Sequence, residues 1–317
     1  MKEIQFTHID GIRVGNAQDL EAATGCTVII CEEGATGGVD VRGGAPGTRE
    51  TDLLKPENLV DKIHGIVLSG GSAFGLDAAS GAMKYLEERD IGFDVQVTKV
   101  PIVCSAVLFD LIIGDSSRRP DFEMGYQACV NATNLECPNG NIGAGTGATL
   151  GKFLGPDRAM KGGLGSYAIQ IGDLKVGALV AVNCLGDVID PQTGEILAGL
   201  LDEEGQKLIG TENILFKDYD INRNVFNGNT TIGVVATNGI FTKAEANKIA
   251  SMAHNGYART IRPAHTLFDG DTIFTMATGK VEADINVVGT LAAKVMERAI
   301  INGIKSANSL YGFKGYR

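Results

Sequence analysis

Apolar runs bounded by glycine recur along the chain at 26–31, 65–69, 166–171, 176–184, 231–237 and 272–278. Most are β-branched or apolar at nearly every position, which predicts strands covered on both faces. Between them the pattern changes to a helical period, over 73–89, over 283–307 and in a segment opening at Thr242. Thr242 and Glu245 have capping-box spacing, and Ala246, Ile249, Ala250, Ala253, Tyr257 and Ile261 then recur on one apolar face. No Pro- or Ser-rich linker and no repeat divides the chain. The pattern therefore predicts a single α/β domain over 1–317, with helices outside a strand core.

Two of the strands invite comparison. Runs 231–237 and 272–278 share a Thr-Ile start and an Ala-Thr end, and a polar, glycine-containing turn precedes each. As neighbours in one sheet they would bring Gly228-Asn229-Thr230 beside Asp269-Gly270-Asp271. A chance likeness between two β-rich strands is the other reading.

Composition narrows the class. The 317 residues carry a net charge of -10, which argues against a nucleic-acid backbone as partner. No apolar run of membrane-spanning length occurs, and Met1-Lys2-Glu3-Ile4-Gln5 lacks a signal-peptide pattern, so the expectation is a cytoplasmic protein without a membrane partner. Six cysteines without a C-x-x-C pair and four histidines without H-E-x-x-H predict buried thiols and neither a metal site nor a cofactor. Glycine, at 43 residues, is about twice as frequent as usual, so backbone must turn tightly or approach another group closely at many places.

Three segments are candidates for chemistry. Ser69-Gly70-Gly71-Ser72-Ala73-Phe74 nearly spells a nucleophile elbow around Ser72, but Phe74 takes the last glycine position. It reads as a tight strand-to-helix turn that lines a pocket, or as the centre of a serine hydrolase completed by a downstream Asp and His265. Gly143-Ala144-Gly145-Thr146-Gly147-Ala148 matches G-x-G-x-x-A without the preceding apolar strand a dinucleotide site needs. That loop, with Lys152, is the basis of a non-enzymatic alternative, a small-ligand or nucleotide-binding protein. Asn229-Thr230 is either an ordinary turn-to-strand junction or a self-cleavage point. In the second case the threonine hydroxyl attacks the preceding carbonyl, and the new α-amine, with a pKa of ~7.7–8.0, becomes the base.

The chain resembles the DmpA-type self-processing aminopeptidases, the L-aminopeptidase/D-esterases, a family that includes β-peptidyl aminopeptidases and nylon-oligomer hydrolases. The resemblance runs through the blocks at 40–51, 68–76, 143–152, 160–165, 177–183, 229–237 and 263–271. It implies a four-layer αββα sandwich of the DmpA/ornithine-acetyltransferase-like type, self-cleaved into 1–229 and 230–317 and assembled as a tetramer or larger. By the same motifs Thr230 falls on the nucleophile, Asn183 on an oxyanion-donating amide, Asp269 and Asp271 on paired acidic positions, and Lys152 on a lysine of the nylon-hydrolase branch. Phe109 stands where relatives carry a tyrosine, and with Ser72 and Gly71 it is a candidate for substrate contact. His265 and His254 are expected to be structural, while Arg42 and Arg49 are candidates either for bridging loops or for binding a substrate carboxylate. The implied activity is hydrolysis of short peptide, amide or ester substrates through a Thr230 acyl-enzyme. The glycine-rich loops would then converge on Thr230.

Overall fold

The computed structural model describes residues 1–220 and 228–316. Eight strands and four helices carry the architecture: β1 (Arg13–Asp19), β2 (Thr24–Val41), β3 (Lys62–Ser69), α1 (Ala78–Glu87), β4 (Val103–Val107), α2 (Phe122–Val130), β5 (Gly163–Ile171), β6 (Leu174–Val182), β7 (Ile232–Gly239), α3 (Lys243–Thr260), β8 (Thr272–Val281) and α4 (Ile285–Lys305). Along one path of hydrogen-bonded neighbours the order is β5-β6-β7-β8-β2-β3-β4, and β1 pairs with β2.

The long strand β2 joins two layers. Its first half, Thr24 to Ile30, pairs with β1 and β3, and its second half, Thr36 to Val41, pairs with β8; the register with β3 shifts between Ile30 and Ala35. Alternating side chains then sort into three cores. Ile29, Ile66, Leu68, Ala106, Leu179, Ile232, Val234 and Phe274 meet between the sheets. Val28, Val67 and Val103 face α1 and α2, whereas Val180, Val235 and Ile273 face α3 and α4. Strands apolar on both faces thus serve two cores at once, and the result is the expected αββα sandwich.

The two similar strands are direct neighbours. β7 and β8 run parallel, with Ile232 opposite Thr272 and Val234 opposite Phe274, and the ladder is preceded by a bridge between Asn229 and Asp269. The capping box of α3 forms as the spacing predicts, and its apolar face is fully buried. Two expectations needed correction. The helix over 73–89 is a 3₁₀ turn, Ser72–Asp77, before it becomes α1, because Gly71 and Ser72 both take positive φ and hold the chain in a tight turn. The glycine loops also do not all converge on Thr230. A Cβ on Gly270 would lie 2.7 Å from Thr230 Oγ1, but one on Gly147 would meet the Ala23 carbonyl at 2.1 Å and one on Gly162 the Val182 carbonyl at 2.1 Å. Much of the glycine surplus lets backbones of different layers touch.

Candidate active site

Thr230 stands two residues before the β7 ladder, where a parallel neighbour brings a second turn alongside. Its backbone N–H donates to the Asn183 carbonyl at 2.9 Å, and Gly270 N–H donates to the Asn229 carbonyl at 2.9 Å. The Thr230 hydroxyl is in hydrogen-bond contact with that same Asn229 oxygen. The peptide joining Asn229 to Thr230 is therefore held at both ends, with the hydroxyl against its own preceding carbonyl. Thr230 is only 5% exposed and lines a cleft of about 130 Å³ together with Gly47, Ser72, Val107, Phe109, Gly228 and Phe268.

Asn183 follows directly on β6 and is fully buried. Its Oδ1 accepts from Thr149 N–H at 2.9 Å and from Lys152 Nζ at 3.0 Å. Its Nδ2 donates towards the carbonyls of Phe109 at 3.1 Å and Gly228 at 3.5 Å. Lys152 also reaches the Asn183 carbonyl and the Gly228 carbonyl, each at 3.2 Å. Complete burial pushes its ammonium down to about 7, against the pull of Asp269 and Asp110.

The acidic pair lies on the other side of Thr230. Asp271 accepts from Thr231 N–H at 2.8 Å and from His265, by backbone at 3.0 Å and by Nδ1 at 2.8 Å. Asp269 accepts from Thr266, by N–H at 2.9 Å and hydroxyl at 2.6 Å, and from Leu185 N–H at 3.3 Å. Burial, and then the neighbouring Asp271, push Asp269 up to about 6. Two carboxylates in a dry site resist ionising together.

Of the substrate-contact candidates, Ser72 and Phe109 line the cleft, whereas Gly71 does not line it and donates its N–H to Asp110 at 2.7 Å. Ser72 has no hydrogen bond to His265, whose Nδ1 is taken by Asp271, so these two residues form no serine–histidine pair. The Gly143–Lys152 loop offers no phosphate cradle: its residues are buried, and Gly145 packs on Leu164 of β5. Arg42 ties Asp40 to Ser251, and Arg49 reaches Ser80 on α1, so both bridge elements of the fold. His254 is buried with Nε2 3.0 Å from the Asp40 carbonyl, and burial pushes it down to about 4. All six cysteines are buried free thiols, and no group of three metal-ligating side chains occurs among the described residues.

Two buried charges beside the site were missed. Lys161 donates to the carbonyls of Gly145, Ala148 and Gly162 at 2.8–2.9 Å, and Asp110 accepts from Thr24 and Gly71, each at 2.7 Å. A lone charge inside an apolar or glycine-rich run, as at Met160-Lys161-Gly162 and Phe109-Asp110-Leu111, is the signal that could have found them.

The comparison with known families decides the relationship. The model of peptidase family S58 matches residues 5–317. The chain belongs to that family. An uncharacterised aminopeptidase of Mycobacterium bovis is 41% identical over 98% of this chain and 96% of its own length. A 6-aminohexanoate-oligomer endohydrolase of a Kocuria strain is 31% identical over 93% of this chain and 84% of its own. Among solved structures, an L-aminopeptidase D-Ala-esterase/amidase from Ochrobactrum anthropi, described as a variant of the Ntn hydrolase fold, superposes with a TM-score of 0.74 at 17% identity, covering 96% of this chain and 87% of its own. A Burkholderia β-aminopeptidase superposes at 0.72 with 18% identity, over 99% and 90%. The S58 chain described here shares that fold. No helix among its described residues is long and apolar enough to cross a membrane.

Proposed function

We propose that the protein is a self-processing aminopeptidase or amidase that uses Thr230 as an N-terminal nucleophile. The observation that carries this reading is the contact between the Thr230 hydroxyl and the Asn229 carbonyl, at the wall of the cleft. Attack of Thr230 Oγ on the Asn229 carbonyl carbon converts the amide into an ester. The negative charge that develops on the Asn229 oxygen meets the Gly270 N–H already directed at it. Water then releases residues 1–229 and leaves the Thr230 α-amine free. That amine accepts the hydroxyl proton when a substrate carbonyl takes the vacated position, an acyl-enzyme forms, and water releases it. Asn183 donates to the substrate oxyanion, held by Lys152, while Asp269 and Asp271 set the charge around the amine.

The names of the relatives, an aminopeptidase and an oligomer hydrolase, support short amides with a free amino end as the substrate class. An ammonium group is attracted to the acidic pair. The assembly of processed units into a tetramer or larger oligomer, a cytoplasmic location and the absence of a cofactor belong to the same reading. Intact mass and a denaturing gel test it. The wild-type chain is expected as pieces of 229 and 88 residues that hydrolyse aminoacyl-anilides, and Thr230→Ala as an uncut, inactive chain. An uncut wild-type chain with full activity defeats the proposal, as does loss of activity in Ser72→Ala with no loss in Thr230→Ala.

A further inference from the structure

His265 stands between the acidic pair and helix α3. Its ring stacks on Tyr257 at 6.0 Å and meets His254 edge-on at 4.8 Å. Its Nε2 is buried and has no hydrogen-bond partner among the described residues, while its Nδ1 lies 2.8 Å from Asp271 Oδ2. A neutral ring so placed carries its proton on Nδ1, because only that nitrogen faces an acceptor. The backbone turns with it: His265 has φ +59° and also gives its N–H to the same carboxylate oxygen. The other oxygen of Asp271 accepts the N–H of Thr231, the residue after the nucleophile. One carboxylate therefore spans from His265 to the strand that carries Thr230.

We propose that His265 is a positioning residue, whose Nδ1–H holds Asp271 as the anion of the acidic pair and, through Asp271, fixes the peptide that follows Thr230. This rests on the reading of Thr230 as nucleophile. Asp269 is then the member that takes up the proton. The groups that face this arrangement are few. Tyr257 and His254 approach from α3, and Asp40 and Arg42 act on His254 from the end of β2. Cys184 lies beside both aspartates, and Lys152 beside Asp269. Among the described residues the ring N–H is the side-chain donor to Asp271, its other donors being the backbone N–H groups of Thr231 and His265.

Two substitutions in the full chain isolate that donor. Asn and Asp both tolerate a positive φ, and they match each other in shape. His265→Asn places an N–H near the position of Nδ1, whereas His265→Asp places a second acid there. Self-cleavage followed by gel, and the pH profile of anilide hydrolysis by the processed enzyme, are the readouts. His265→Asn is expected to process within a few-fold of wild type. His265→Asp is expected to process about ten- to a hundredfold more slowly, the scale of a lost hydrogen bond to a charged group, and to move the acid limb of kcat/KM to higher pH. A wild-type rate and profile in His265→Asp overturns the proposal. So does equal slowing of both variants with an unmoved profile, which is what a purely structural role produces. If His265→Asp does not fold, ¹⁵N NMR of the wild-type ring decides: a proton on Nδ1 supports the proposal and one on Nε2 overturns it. Failure of the nucleophile reading is separate, because it shows as cutting in Thr230→Ala, whereas an essential Thr230 with an indifferent His265→Asp removes this inference alone.

Discussion

Lys152 Nζ donates to Asn183 Oδ1 at 3.0 Å, and this bond orients the amide. With Thr149 N–H on the same oxygen, Nδ2 has to point towards the carbonyls of Phe109 and Gly228, on the cleft side. A charged donor on one end of an amide thus turns its other end into a directed donor. The lysine is fully buried to do so, and the cost of that burial is visible in its lowered pKa.

Lys152→Met removes that restraint while keeping the volume of the stem. The Asn183 amide can then turn over, and the Gly228 carbonyl loses a partner. The expected outcome is a fall in kcat for anilide hydrolysis of ~10²–10³, the scale of a lost oxyanion donor. Steady-state kinetics on processed enzyme checks it, with KM expected to change less than kcat.

Gly270→Ala tests the contact made by the second turn. The added Cβ would lie 2.7 Å from Thr230 Oγ1 and 2.7 Å from the Ala45 carbonyl, so either the hydroxyl or the loop must move. Self-cleavage is expected to slow by at least ~10²-fold, since misplacement by about 1 Å costs that much in a positioned reaction. The chain should still fold, because the contact lies at the head of the ladder and not in a core. A gel time course and a thermal melt read the two effects separately.

Asp110→Asn probes a buried acid outside the reacting groups. Burial raises the Asp110 carboxyl from 3.8 to about 6, so in the folded chain it keeps its proton where the unfolded chain has lost it. Its contribution to stability is present below 3.8 and is lost as pH rises through about 6. The asparagine lacks this loss. Relative to wild type, the variant is expected to gain up to about 3 kcal/mol between the two ends of that range, by the conversion of ~1.4 kcal/mol per pK unit. Urea melts at the two ends of the range measure the difference.

The sequence by itself determined the class of fold, and its motifs named the residues from which the proposed site is drawn. Strands apolar on both faces have to be covered twice, so a layered α/β domain follows from the pattern, the resemblance implied its αββα order, and the capping box placed the start of α3 to the residue. The likeness of 231–237 to 272–278 offered the pairing of Asn229-Thr230 with Asp269-Gly270-Asp271 beside a chance resemblance, and the parallel ladder chose the pairing, because strands in register bring their preceding turns together. Short or irregular elements were not legible: β1, β4 and α2 lack a long periodic pattern, and packing against β2, β3 and α1 is what sustains them.

Only the tertiary structure decided direction. A sequence names Asn183 and Lys152 but not which end of the amide faces the cleft. That depends on a lysine 31 residues away being buried against it. Nor could it assign His265 to Asp271, since a ring nitrogen takes its tautomer from the acceptor it meets. The glycines make the same point in reverse. Their number showed that backbones approach closely, but only the packing of layers decided that Gly270 meets Thr230 while Gly147 and Gly162 meet other strands and loops.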